Sequence, residues 1–124
     1  MGQTILEFRL NRDKHNAVQE ICNRLGITTV VVARKDYGQK LGALAGVNGF
    51  SKENKLYEGA ELPAEMLIFS GMNSEQVDDF LAEYKKSGCE PIGLKAVITP
   101  SNVFWNVTEL FQELMREHLS FGKK

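Results

Sequence analysis

Lys95 stands in the middle of an apolar run, between Leu94 and Ala96, and comes nearest in type and place to covalent chemistry. A desolvated lysine gives up its proton more readily and can attack a carbonyl to form a Schiff base. The competing reading lays its stem along a sheet and leaves the ammonium in water, beside Glu7. His118, four residues after Leu114, is the second catalytic candidate; it, Thr99 or Asn102 would serve Lys95 as a polarising or acid-base group. His15 and His118 are far apart, with no cysteine or carboxylate cluster at ligand spacing, so no metal site is expected. Neither GxGxxG nor GxxxxGK[ST] occurs, and no cofactor is expected.

Binding offers a broader set of residues. Thr99-Pro100-Ser101-Asn102 follows an apolar run, and Ser70-Gly71-Met72-Asn73 follows another. In an open α/β sheet, ligands sit outside the carboxyl ends of strands, where loops feed helix N-termini. Ser70, Asn73, Thr99, Ser101 and Asn102 are therefore the ligand-binding candidates, their hydroxyls and amides suited to a small anion. Arg12, Lys14, Arg34 and Lys35 would share that rim if every strand ran parallel. The tryptophan at 105 has a structural explanation. With Asn106 as N-cap and Glu109 three residues on, it stands where a hydrophobic staple would pack on Leu110.

These residues need elements to hold them. Leu6, Phe8 and Leu10 alternate with Glu7 and Arg9, which predicts a strand over 5–10 with its charges facing outward. Ala17, Val18, Ile21, Cys22 and Leu25 recur at helical spacing, and Gly26 stops that helix. The β-branched run 27–33 predicts a strand buried on both faces or nearly so. A weak helix follows from Asp36 to Gly46, with Tyr37, Leu41 and Leu44 on one face. Residues 47–64 form a long loop with isolated apolar anchors. Strands over 66–69 and 92–99 flank a helix capped by Asn73, and a last helix starts near Val107. The order β-α-β-α-β-α-β-α predicts one α/β domain over residues 1–124 with a small, mostly parallel four-stranded sheet. The alternative is a two-layer α+β ferredoxin-like sandwich with an extra C-terminal helix. It would leave the face bearing Glu7, Arg9 and Lys95 open to water.

Composition narrows the partners. The 124 residues include 15 basic and 16 acidic side chains, for a formal net charge of −1. That balance gives no general attraction to nucleic acid or to acidic membranes. No apolar run approaches a membrane span, and the start lacks a basic leader, so a cytoplasmic protein is expected. Cys22 and Cys89 have no CxxC spacing and are expected as free thiols. The functional expectation is a non-catalytic module for a small anionic ligand or a protein. An enzyme using Lys95, or a homodimer formed through the last helix or a sheet edge, is the alternative.

One resemblance joins these residues. Leu94-Lys95-Ala96-Val97-Ile98-Thr99, Asn102, Trp105, then Glu109-Leu110, Glu113-Leu114 and Glu117-His118, resemble the pattern of DUF3783, an uncharacterised bacterial family. Asp36 to Gln39 and Leu41 to Gly46 are similar to a second block of that family. The resemblance implies no activity. It draws attention to Lys95, Thr99, Asn102, Trp105 and His118 as the matched polar and aromatic positions.

Overall fold

A computed structural model describes residues 2–122, with side chains through Glu117. Four strands, β1 (Thr4–Phe8), β2 (Thr28–Val31), β3 (Met66–Ser70) and β4 (Leu94–Val97), form one sheet in the order β2-β1-β3-β4. The helices are α1 (Arg12–Leu25), the single turn α2 (Leu41–Leu44), α3 (Ser74–Lys86) and α4 (Val107–Gly122). Two β-α-β units, β1-α1-β2 and β3-α3-β4, each pair their strands in parallel, while β1 and β3 meet antiparallel. The sheet is therefore mixed and mostly parallel, as expected of an α/β domain, with its one antiparallel pairing at the centre.

Burial follows from that order. All five residues of β1 and all five of β3 are buried. Each strand alternates between two cores. Ile5, Leu67 and Phe69 face α1 and α3. Leu6, Phe8, Met66 and Ile68 face the other layer, which holds Leu41, Leu44, Val107, Leu110 and Phe111. Helices thus cover both faces, and the open face of the two-layer alternative does not exist. β2, expected to be buried on both sides, is an edge strand with Thr28 and Val31 exposed. Its β-branched run suits a pleated surface at an edge as well as in a core.

Local chemistry explains the helix ends. Asn11 caps α1 and Gly26 closes it in the left-handed conformation, at φ 75°. Asn73 and Gln76 form a reciprocal capping box at α3. Asn106 and Glu109 make the same exchange at α4, at 2.8 and 2.9 Å. The expected helix from Asp36 to Gly46 breaks into a 3-10 turn at 34–36 and the short α2. Gly42 has a packing reason there, since a Cβ would come within 2.7 Å of Val103 and 2.8 Å of Phe50.

Glu7 departs most from expectation. It is not on an outward face but 2% exposed beneath α1. Its Oε1 lies 2.7 Å from His15 Nδ1, and its Oε2 has no hydrogen-bond partner among the described residues. Burial raises its pKa above the ordinary 4.5, and the contact with His15 offsets part of that rise. A carboxyl with a raised folded-state pKa takes up protons on folding, so its contribution is present at low pH and fades as pH rises through that value. Relative to Glu7→Gln, the parent should lose stability as pH rises above the ordinary glutamate range. Urea denaturation of both proteins across pH checks this, and parallel stability curves contradict it.

Candidate functional site

The carboxyl ends of β3 and β4 open onto a cleft of about 610 Å³. Ser70 and Gly71 after β3 line it, as do Ile98, Thr99 and Pro100 after β4. Because β1 runs antiparallel to β3, the starts of β1 and β2 meet the same rim, with Thr4 opposite both Ser70 and Thr28. Gly2, Thr4 and Thr28 therefore also line the cleft. Gly71 permits this approach. Its φ is 72°, and a Cβ there would stand 2.8 Å from the Gly2 carbonyl oxygen. The far wall comes from residues 45–48, Phe50 and Val103. Among the described residues, none of the side chains lining the cleft is ionisable.

The expected site residues divide into two groups. Ser70, which is buried, and Thr99, which is exposed, both line the cleft. Asn73, Ser101 and Asn102 do not line it. Asn73 is occupied as the cap of α3, and Ser101 is exposed. Asn102 is buried and locks the turn: its Oδ1 accepts from Thr99 N at 2.9 Å, and its Nδ2 donates to Val97 O at 3.0 Å. The Asn102 N–H in turn donates to Thr99 Oγ1 at 3.1 Å. The absence of a helix-capping duty left Asn102 looking available for a ligand; it is committed to the loop's own backbone instead.

Of the candidate catalytic residues, Lys95 is not brought to this rim. Lys95 is exposed and its ammonium donates to the Ile92 carbonyl at 2.6 Å. It borders a separate cavity of about 280 Å³, beside Leu81, Tyr84 and Cys89. Its cross-strand neighbour is Leu67, which separates it from Glu7 on the same face. His118 lies outside the residues whose side chains are described. Among the described residues no cluster of three metal-ligating side chains occurs.

The four basic residues lie away from the cleft. Arg12, Lys14, Arg34 and Lys35 follow β1 and β2, whose carboxyl ends point opposite to those of β3 and β4. Lys14 is mostly buried and paired with Glu65. The expectation of a shared rim required an all-parallel sheet, and the central antiparallel pairing overturns it. Sequence reading also missed the walls at 45–50 and at Gly2, Thr4 and Thr28. Their one signal was the isolated Phe50 in a polar stretch.

Trp105 is partly buried against the core that includes Leu110, and its carbonyl accepts from Leu41 N at 2.8 Å. Cys22 and Cys89 are both free, and burial pushes the Cys22 thiol up to about 12.

Fold and cleft together define a small α/β domain, three layers thick, with an open and uncharged crevice at one end of a mixed sheet. Residues 65–121, from just before β3 through most of α4, match the model of DUF3783, a domain of unknown function. No curated protein and no solved structure matches the chain. Among the described residues, no helix is long and apolar enough to cross a membrane.

Two substitutions test how the turn is held. Asn102→Ala removes the partner of the partly buried Thr99 N–H and Val97 carbonyl and should destabilise the protein by about 1 kcal/mol. Trp105→Ala should cost about 3 kcal/mol, as large aromatic truncations do. Chemical denaturation measures both, and an unchanged midpoint for either would refute the structural role assigned to it.

Proposed function

We propose that the protein is a non-catalytic module that takes a small ligand in the cleft at the carboxyl ends of β3 and β4. One observation carries this reading: Ser70 and Thr99, from adjacent parallel strands, open onto the same cavity, and among the described residues no side chain lining it can act as a general acid or base. A volume of about 610 Å³ suits a metabolite-sized molecule. The walls divide between hydroxyls at Thr4, Ser70 and Thr99 and apolar surface at Phe50, Ile98 and Val103.

The anionic ligand expected from sequence rested on hydroxyls, amides and helix N–H groups, with added support from basic residues that lie at the other rim. Without them, an anion would rely on hydroxyls and backbone N–H groups alone. We therefore favour an uncharged ligand with one polar edge and one apolar face. An enzyme using Lys95 has less support, because Lys95 and Thr99 border different cavities. A protein partner is the second reading. It is favoured by Phe104, 61% exposed and 5.2 Å from Phe50 between ring centroids, beside the cleft wall. A cytoplasmic setting belongs to the same proposal and agrees with two unpaired cysteines.

The experiment is a thermal-shift screen of uncharged and phosphorylated metabolites, repeated on Thr28→Trp. Thr28 is exposed at the mouth, so a tryptophan there obstructs the cleft without entering the core. A ligand at a hundred times its Kd stabilises the parent by about 2.7 kcal/mol. The expected result is a rise in Tm with an uncharged compound that Thr28→Trp abolishes. A compound whose effect survives that substitution binds elsewhere and contradicts the assignment.

A further inference from the structure

The carboxyl ends of β1 and β2 carry a second cavity of about 360 Å³, at the opposite end of the sheet from the cleft. Its lining differs in kind. Arg9, Arg34, Glu7, Glu61 and His15 all border it, with Leu10, Val31 and Val32 as apolar wall. Two guanidiniums, two carboxylates and an imidazole thus converge on a space at the small end of ligand pockets.

Several of these groups are held in place. Arg9 has φ 62°, the one non-glycine residue in the left-handed region among those described, and its Nη1 donates to Leu62 O at 2.5 Å. Such a conformation costs free energy and is concentrated at functional sites. Arg34 Nη1 donates to Gly59 O at 2.6 Å. Glu61 Oε1 accepts from the Tyr37 hydroxyl and from Leu62 N. Each guanidinium has five N–H groups, so one bond to a carbonyl leaves others to offer.

Glu7 supplies the independent sign that something is missing. Its Oε1 meets His15, and its Oε2 is buried without a partner. Whether the carboxyl is ionised or protonated, one of its polar atoms goes unmatched, an arrangement folded proteins rarely keep. Oε2 is closed to solvent in the observed rotamer, and engaging a donor in the cavity requires the carboxyl to turn about its soft terminal torsion.

We infer that this cavity binds a zwitterionic α-amino acid with a short aliphatic side chain, its carboxylate on Arg9 and Arg34 and its ammonium toward Glu7 and Glu61. A ligand of one sign alone would leave the side chains of that same sign facing it unpaired, which is costly in a partly desolvated site. A molecule carrying both charges satisfies both sets. The aliphatic side chain lies against Leu10, Val31 and Val32.

Calorimetric titration of the full chain tests this with three probes: L-valine, 3-methylbutanoate (valine without its ammonium) and 2-methylpropylamine (valine without its carboxylate). L-Valine should bind at least about tenfold more tightly than either single-charge analogue. Arg34→Ala, at an exposed position, and Glu7→Gln should each weaken L-valine binding by about tenfold or more. Thr28→Trp, at the other end of the sheet, should leave it unchanged, which separates this site from the cleft. No heat with L-valine up to about 10 mM would overturn the inference. So would equal binding of 3-methylbutanoate, or unchanged affinity in Arg34→Ala with its melting temperature preserved.

Discussion

Five residues of β1 run antiparallel to five of β3, from Thr4 opposite Ser70 to Phe8 opposite Met66. This pairing joins two parallel β-α-β units head to tail. Both strands become central and fully buried, and each must then supply apolar side chains to two faces. Ile5 and Leu6, or Leu67 and Ile68, enter different cores. Because an antiparallel joint reverses direction, the two units send their carboxyl ends to opposite ends of the sheet. A fully parallel sheet would gather its carboxyl ends at one rim, and this one has two such rims.

The two rims differ because different chemistry follows the two pairs of strands. After β3 and β4 come serine, glycine, threonine and proline, and the resulting cleft is uncharged. After β1 and β2 come arginines, and Glu7, Glu61 and His15 add acidic and imidazole side chains to the same cavity. The separation is electrostatic as well as spatial.

Much of this could be read from the sequence, and the failures have physical causes. Period-2 and period-3.6 spacing located the strands and the long helices, since each pattern reflects burial on one local face. Asn106 with Glu109, and Asn73 before α3, were legible because capping is a contact between near neighbours. Strand order was not, because it is set by contacts between distant segments. Its consequences failed with it. The β-branched run of β2 reads as buried on both faces, and Arg12 and Arg34 share the rim of Thr99 only in an all-parallel sheet. Glu7 was taken for a solvated charge because alternation in β1 reads as one polar face. Only the covering of α1 and the approach of His15 bring that carboxyl inside. Of the candidate site, Ser70 and Thr99 open onto the cleft, whereas Asn102 is spent on its own loop.

The connection from β2 to β3 is long, and it walls both cavities: residues 45–50 border the cleft and Glu61 borders the charged pocket. It is tied down at a few points, among them Gln39 to Glu53 at 2.7 and 2.8 Å and Tyr57 N to Lys35 O at 2.9 Å. The entropy of closing such a loop grows only logarithmically with length, about 0.6 kcal/mol for each doubling. Insertions between those ties therefore perturb the sheet little, whereas they reshape the walls of both cavities at once. In evolutionary terms, this one segment can vary the lining at both ends of the sheet while the strand pairing stays unchanged.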